Sequence, residues 1–158
     1  MIQAVSKNNF NSFLSLADSR IDLTTPFTNV KHLFKLTNDM DKSIDYVYPQ
    51  EQIYGERYVH SSFIYSASPD MFNGQVNLKP AGYYKYEVYE VSWSSGCPVV
   101  VNSTYAPANE TQSIELECAG VVQGLVAIGK LYLAEKPGEE QVQYTQRQEP
   151  SGTNYIYY

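Results

Sequence analysis

The stretch Leu78-Lys-Pro80-Ala-Gly82-Tyr-Tyr84-Lys-Tyr86-Glu-Val88-Tyr-Glu90-Val-Ser-Trp93 decides how this chain is read. Leu78 closes one strand by delivering an apolar side chain to a core. Pro80 fixes φ and has no N–H to give to a ladder, so that strand ends there. Gly82 permits a backbone turn that a Cβ would obstruct. The chain then re-enters as the strongest alternating run of the sequence. Tyr84, Tyr86, Val88 and Glu90 share one face; Tyr83, Lys85, Glu87, Tyr89, Val91 and Trp93 share the other. The pattern predicts a long strand that crosses from one sheet to a second.

The flanking sequence repeats this grammar. From Val30, Leu33, Lys35 and Thr37 alternate with Phe34 and Leu36, and Ile44 to Tyr48 returns after the turn at Asn38-Asp-Met-Asp-Lys, which predicts a hairpin stopped by Pro49. Residues 57–66 predict a third strand and 74–78 a fourth. Downstream, 98–101 and 114–118 read as short strands that flank a polar loop. Residues 121–134 read as one long strand or a pair, with Gly124 and Gly129 marking a bulge or a close backbone approach. The stretch 10–16 fits a helical face and a strand equally. Short strands at regular spacing predict an all-β sandwich. The domain spans 30–136, preceded by an arm or first strand over 1–29 and followed by a Tyr-rich tail over 137–158.

Composition bounds the function. The chain has 158 residues, enough for one domain. Hydrophobic residues make up 43%, which sustains a core, and a charged share of 18% argues against a disordered acidic chain or a coiled coil. The net charge is −6 with a pI near 4.8, so nucleic acid is not an expected partner. Residues 1–86 balance eight basic against eight acidic side chains, and 87–158 hold three against nine, so the whole net charge belongs to the second half. No apolar run approaches the ~18 residues that cross a membrane. The N-terminus has no secretory h-region, so a cytoplasmic origin without a signal peptide is expected.

Candidate chemistry is sparse, and the expectation is a non-enzyme with no catalytic residue, no metal and no cofactor. Asp39, Asp41, Ser43 and Asp45 alternate as calcium ligands would, yet Ile44 stands where a glycine is needed and Gln50 where a bidentate Glu is needed, so a polar hairpin turn is expected. Cys97 and Cys118 flank the polar excursion; without a leader, two reduced thiols are expected rather than a disulfide. His32 and His60 lie in strands, and Ser61 and Ser62 after His60 point to opposite faces, which makes a hydrolase reading weak. Asn102-Ser-Thr104 and Asn109-Glu-Thr111 match the glycosylation pattern, which in a chain without secretion marks only a surface loop.

The corner Leu78, Pro80, Gly82, Tyr84 resembles the one leading into the F strand of immunoglobulin-like and fibronectin-type-III-like sandwiches. There a Tyr hydroxyl bonds back to the corner backbone, a role the resemblance implies for Tyr84. The fold expected is therefore an all-β, immunoglobulin-like sandwich with extended N- and C-terminal segments. The buried Cys–Trp–Cys pattern of antibody domains is absent.

The wider layout resembles small β-sandwich structural proteins of tailed-bacteriophage virions. The residues concerned are Phe34-Lys-Leu-Thr-Asn-Asp-Met40, the run from Leu78 to Trp93, Val121-Val-Gln-Gly-Leu-Val-Ala-Ile-Gly-Lys-Leu, and the ending from Tyr144 to Tyr158. This implies a virion localisation after synthesis in the bacterial host cytoplasm. The implied role is an auxiliary or minor capsid protein, multicopy or homo-oligomeric in the assembly, whose partners are the major capsid protein or a connector. Tyr89, Trp93, Tyr144, Tyr155, Tyr157 and Tyr158 are the expected interface anchors, with the tail either a strap over a neighbour or a cover for its own sheet edge. The alternatives are a neck, connector or baseplate component, and a carbohydrate- or receptor-binding module with exposed aromatics beside carboxylates.

Overall fold

The computed structural model describes residues 1–139. The alternating run becomes β8 (Gly82–Ser92), and it lies inside a five-stranded sheet, sheet A. Its neighbours are β3 (Val30–Asn38) and β9 (Val121–Ala134), both antiparallel to it; β4 (Ile44–Val47) closes one side and β1 (Ile2–Val5) the other. β1 runs parallel to β9, with Ile2 opposite Leu131 and Val5 opposite Ala134. Sheet B faces it, in the order β2 (Phe10–Leu14), β6 (Val59–Tyr65), β5 (Glu51–Tyr54), and the two-residue β7 (Gln75–Val76) extends β6 in parallel. The described residues thus form an all-β fold of two packed sheets. Within residues 1–29, β1 joins sheet A and β2 joins sheet B.

The inner faces supply the main core. Tyr84, Tyr86 and Val88 of β8, Phe34 and Leu36 of β3, and Leu131 and Leu133 of β9 meet Phe10, Val59 and Phe63 of sheet B. Phe63 is the hinge of this contact: it stacks on Phe10 at 4.9 Å and takes the edge of Phe34 at 5.0 Å between centroids. Such aromatic pairs add stabilisation beyond the area they bury.

β8 and β9 are not in uniform register. Val88 faces Ala127 while Tyr89 faces Leu125, and Glu90 faces Gly124 while Val91 faces Val122. Val126 and Gln123 are therefore the extra residues of two bulges. Gly124, at φ +152°, holds the backbone conformation that the bulge needs.

Several expectations required correction. Residues 98–101 and 114–118 form no strand. β5 went unanticipated, because residues 51–54 alternate only weakly in polarity. Residues 121–134 are one strand, not a pair. Cys97 and Cys118 are joined as a disulfide rather than left as reduced thiols. The ladder beneath them brings them close: Ser92 and Val121 form its last rung, so the segments leading on to Cys97 and back to Cys118 start side by side, and the two Cα atoms lie 5.3 Å apart.

Candidate interaction surface

The corner is assembled as its residues dictate. Leu78 is buried, the peptide bond before Pro80 is cis, and Gly82 takes φ +132°. The Tyr84 hydroxyl donates to the Pro80 carbonyl at 2.7 Å, and the Asn38 amide donates to the same oxygen at 3.3 Å. Asn38 in turn accepts from the Met40 and Asp41 amides, so the corner and the β3–β4 hairpin are tied by one buried side chain. Asp41 accepts from the Ser43 amide and hydroxyl, and Lys130 pairs with Asp39. These carboxylates serve the hairpin turn.

The outer face of sheet A divides into a covered half and an open half. Residues 93–120 fold back over the covered half. Under them lies a second apolar cluster of Leu33, Tyr48, Val91, Trp93 and Ala106. Trp93 is 0% exposed. As an interface anchor it is therefore wrong: strict alternation does place it on the outer face, but the chain's own loop occupies that face. At its base the Asn29 side-chain amide donates to the Ser94 and Cys97 carbonyls, and three bonds fasten its middle. The Tyr48 hydroxyl donates to the Pro107 carbonyl at 2.6 Å, and the two oxygens of Glu110 accept from Lys35 and the Tyr46 hydroxyl, each at 2.6 Å. Burial pushes the Glu110 carboxyl up, but the bonded Lys35 ammonium and Tyr46 hydroxyl outweigh it and hold the group below its ordinary value. Burial, and then the bond to Glu110, pushes the Tyr46 phenol up to about 12. Tyr89 is half-buried at the margin of this cluster.

The open half begins one row below. Tyr83 and Tyr132 are cross-strand neighbours with ring centroids 5.0 Å apart, and both are exposed. Lys85 faces Lys130 in the next row, a like-charge pairing that costs stability unless neutralised. Glu87 at 3.3 Å from Lys85 and Asp39 beside Lys130 neutralise it. Ile128 then faces Glu87, and Met40 and Ile44 add exposed apolar surface at the hairpin. The result is an aromatic and aliphatic patch around two lysines. The sequence reading missed it because Tyr83 and Tyr132 are nearly fifty residues apart and only the register joins them.

A smaller apolar row crosses sheet B. Phe13, His60 and Ile53 are register partners on its outer face, and Phe13 stacks on His60 at 4.8 Å. Ser61 points inward and is buried. His32 is buried as well, with neither ring nitrogen bonded, and burial pushes its pKa down to about 4.

One buried carboxylate has a clear task. Glu90 is fully buried, and its two oxygens accept the backbone amides of Ile21 and Asp22 at 3.0 and 2.9 Å. It pins the 15–29 segment across the end of the sandwich. Tyr144, Tyr155, Tyr157 and Tyr158, the remaining expected anchors, lie outside the described residues. Comparison with protein-family models, with curated proteins and with solved structures finds no match to this chain.

Proposed function

We propose that this chain is a non-enzymatic assembly protein, an immunoglobulin-like sandwich used as a rigid block between neighbouring subunits. The strand order β1-β9-β8-β3-β4 against β2-β6-β5 supports that fold reading, since it matches a GFC sheet extended by one strand at each side against a BED sheet. The Tyr84–Pro80 bond at the entry of β8 supports it too. The setting we propose is the particle of a tailed bacteriophage, with the chain as an auxiliary or minor capsid protein; a neck or tail position is the alternative.

The observation that carries the assembly reading is the unequal treatment of one sheet face. Its upper half buries Leu33, Val91 and Trp93 under the chain's own loop and leaves Leu125 exposed at the β9 side, whereas its lower half leaves Tyr83, Tyr132 and Ile128 all exposed. Tyr offers large contact area at low entropic cost and a hydroxyl for the rim, and many modest contacts of this kind add up in a multicopy shell. Glycan binding would draw on the same tyrosines, but the carboxylates beside them, Glu87 and Asp39, are engaged by Lys85 and Lys130.

The test is a Tyr83→Ser, Tyr132→Ser double variant. Both sites are exposed, so its unfolding midpoint should stay near that of the parent. Its self-association by sedimentation velocity, and its recovery with particles when co-expressed with shell or connector proteins, should fall at least about tenfold. Undiminished association and recovery would refute the reading.

A further inference from the structure

We propose that Cys97 and Cys118 form a redox latch on the loop that covers sheet A. As a disulfide they hold residues 98–117 over Trp93; as a dithiol they release that loop and bare the apolar upper half of the sheet, while the two sheets stay folded. This goes beyond the assembly reading and does not depend on it.

Three observations carry it. The disulfide closes the loop at its base, where β8 and β9 part, so it joins no two sheets and lies outside the main core. Both cysteines are partly exposed, so a small thiol or disulfide can reach them. The loop has no strand or helix of its own, and what it buries is a separate cluster around Trp93. Without the covalent closure its base keeps the Asn29 amide on the Ser94 and Cys97 carbonyls, and its middle rests on Tyr48–Pro107, on the Lys35–Glu110–Tyr46 bonds and on the Gly120 amide donating to the Tyr105 carbonyl. Opening a cross-link of this span enlarges the freedom of the released loop, while the ladder beneath keeps all its rungs.

The chemistry is a two-electron exchange. On closing, two thiols lose two protons and two electrons and one S–S bond forms; the acceptor is a low-molecular-weight disulfide, which becomes two thiols. On opening, two small thiols return the electrons and protons and leave as their disulfide. A thiol-rich compartment therefore keeps the loop free, and an oxidising exterior fastens it.

Trp93 is the only tryptophan, so its emission reports the loop directly. The full chain would be compared as purified in air, after phosphine reduction, after reoxidation, and as the Cys97→Ser, Cys118→Ser double variant. Expected are an intact mass two hydrogens lighter for the oxidised form, emission at longer wavelength in the reduced and serine forms, and reversal on reoxidation. Proteolytic cutting within 98–117 should run at least about tenfold faster in those forms with far-UV dichroism unchanged. Three results would overturn the latch: free thiols in the air-equilibrated chain, identical emission and cutting in all forms, or loss of the sheet signal on reduction, which would make the bond a structural necessity. None of them bears on association through Tyr83 and Tyr132.

Discussion

At the scale of single residues, the corner and the buried histidine give the sharpest expectations. Tyr84→Phe removes one hydroxyl and leaves the Pro80 carbonyl with only the longer bond from Asn38. A buried hydrogen bond of this kind contributes about 1–2 kcal/mol, and urea denaturation should show that loss with an unchanged m-value. His32 acts through pH. Its folded pKa, about 4, lies below the ordinary 6.5, so the unfolded chain binds a proton that the folded chain refuses. The stability it permits is complete above pH 6.5 and is lost as pH falls from 6.5 towards 4, up to about 3 kcal/mol. Gln52 and Tyr54 border the ring and Lys31 and Arg20 oppose its charge, while the buried carboxylate opposite it in the ladder, Glu90, is taken up by the Ile21 and Asp22 amides. Denaturation curves collected across that range should flatten in His32→Leu; an equally steep decline in the variant would assign the effect elsewhere.

At the scale of elements, the 93–120 loop shows where pattern reading reaches its limit. Alternation located β3, the β3–β4 hairpin, β6 and β8 because each buries one face and wets the other, which writes period two into the residues. It also put Val91 and Trp93 on the outer face of β8, correctly. It could not reveal that this face is covered, since the covering residues Val99, Val101 and Ala106 have no period and act only through where the loop falls. The same gap turned Trp93 from expected anchor to core and hid the pairing of the cysteines. Gly120 is the tightest point of that cover. A Cβ there would stand 2.7 Å from Trp93 Cζ2 and 2.9 Å from Val91 Cγ1, and neither side chain has room to retreat. Gly120→Ala should cost about 1–3 kcal/mol and loosen the loop, read as a lower melting temperature and faster cutting within 98–117. An unchanged melt would mean that the loop yields freely.

At the scale of the whole molecule, what sequence could convey was class and layering: a chain of short alternating runs with Pro/Gly corners must bury its faces between two sheets. Strand order, and with it the candidate surface, was beyond reach, because Tyr83, Tyr132, Lys85 and Lys130 become neighbours only through pairing over a long sequence separation. The same long-range closure joins the ends of the described chain. β1 and β9 lie side by side and parallel, and Lys7 after β1 pairs with Glu139 after β9. Suppose a tether pulls on residues before Ile2 while another pulls on residues beyond Ala134. The two strands would then be drawn lengthwise past one another, and every rung of their ladder would carry the load together. Strands peeled apart from one end break rung by rung; strands dragged past each other must break all at once. The pairing of first strand with last thus makes this domain a mechanical clasp, strongest along the line on which a subunit held by its two ends would be stretched.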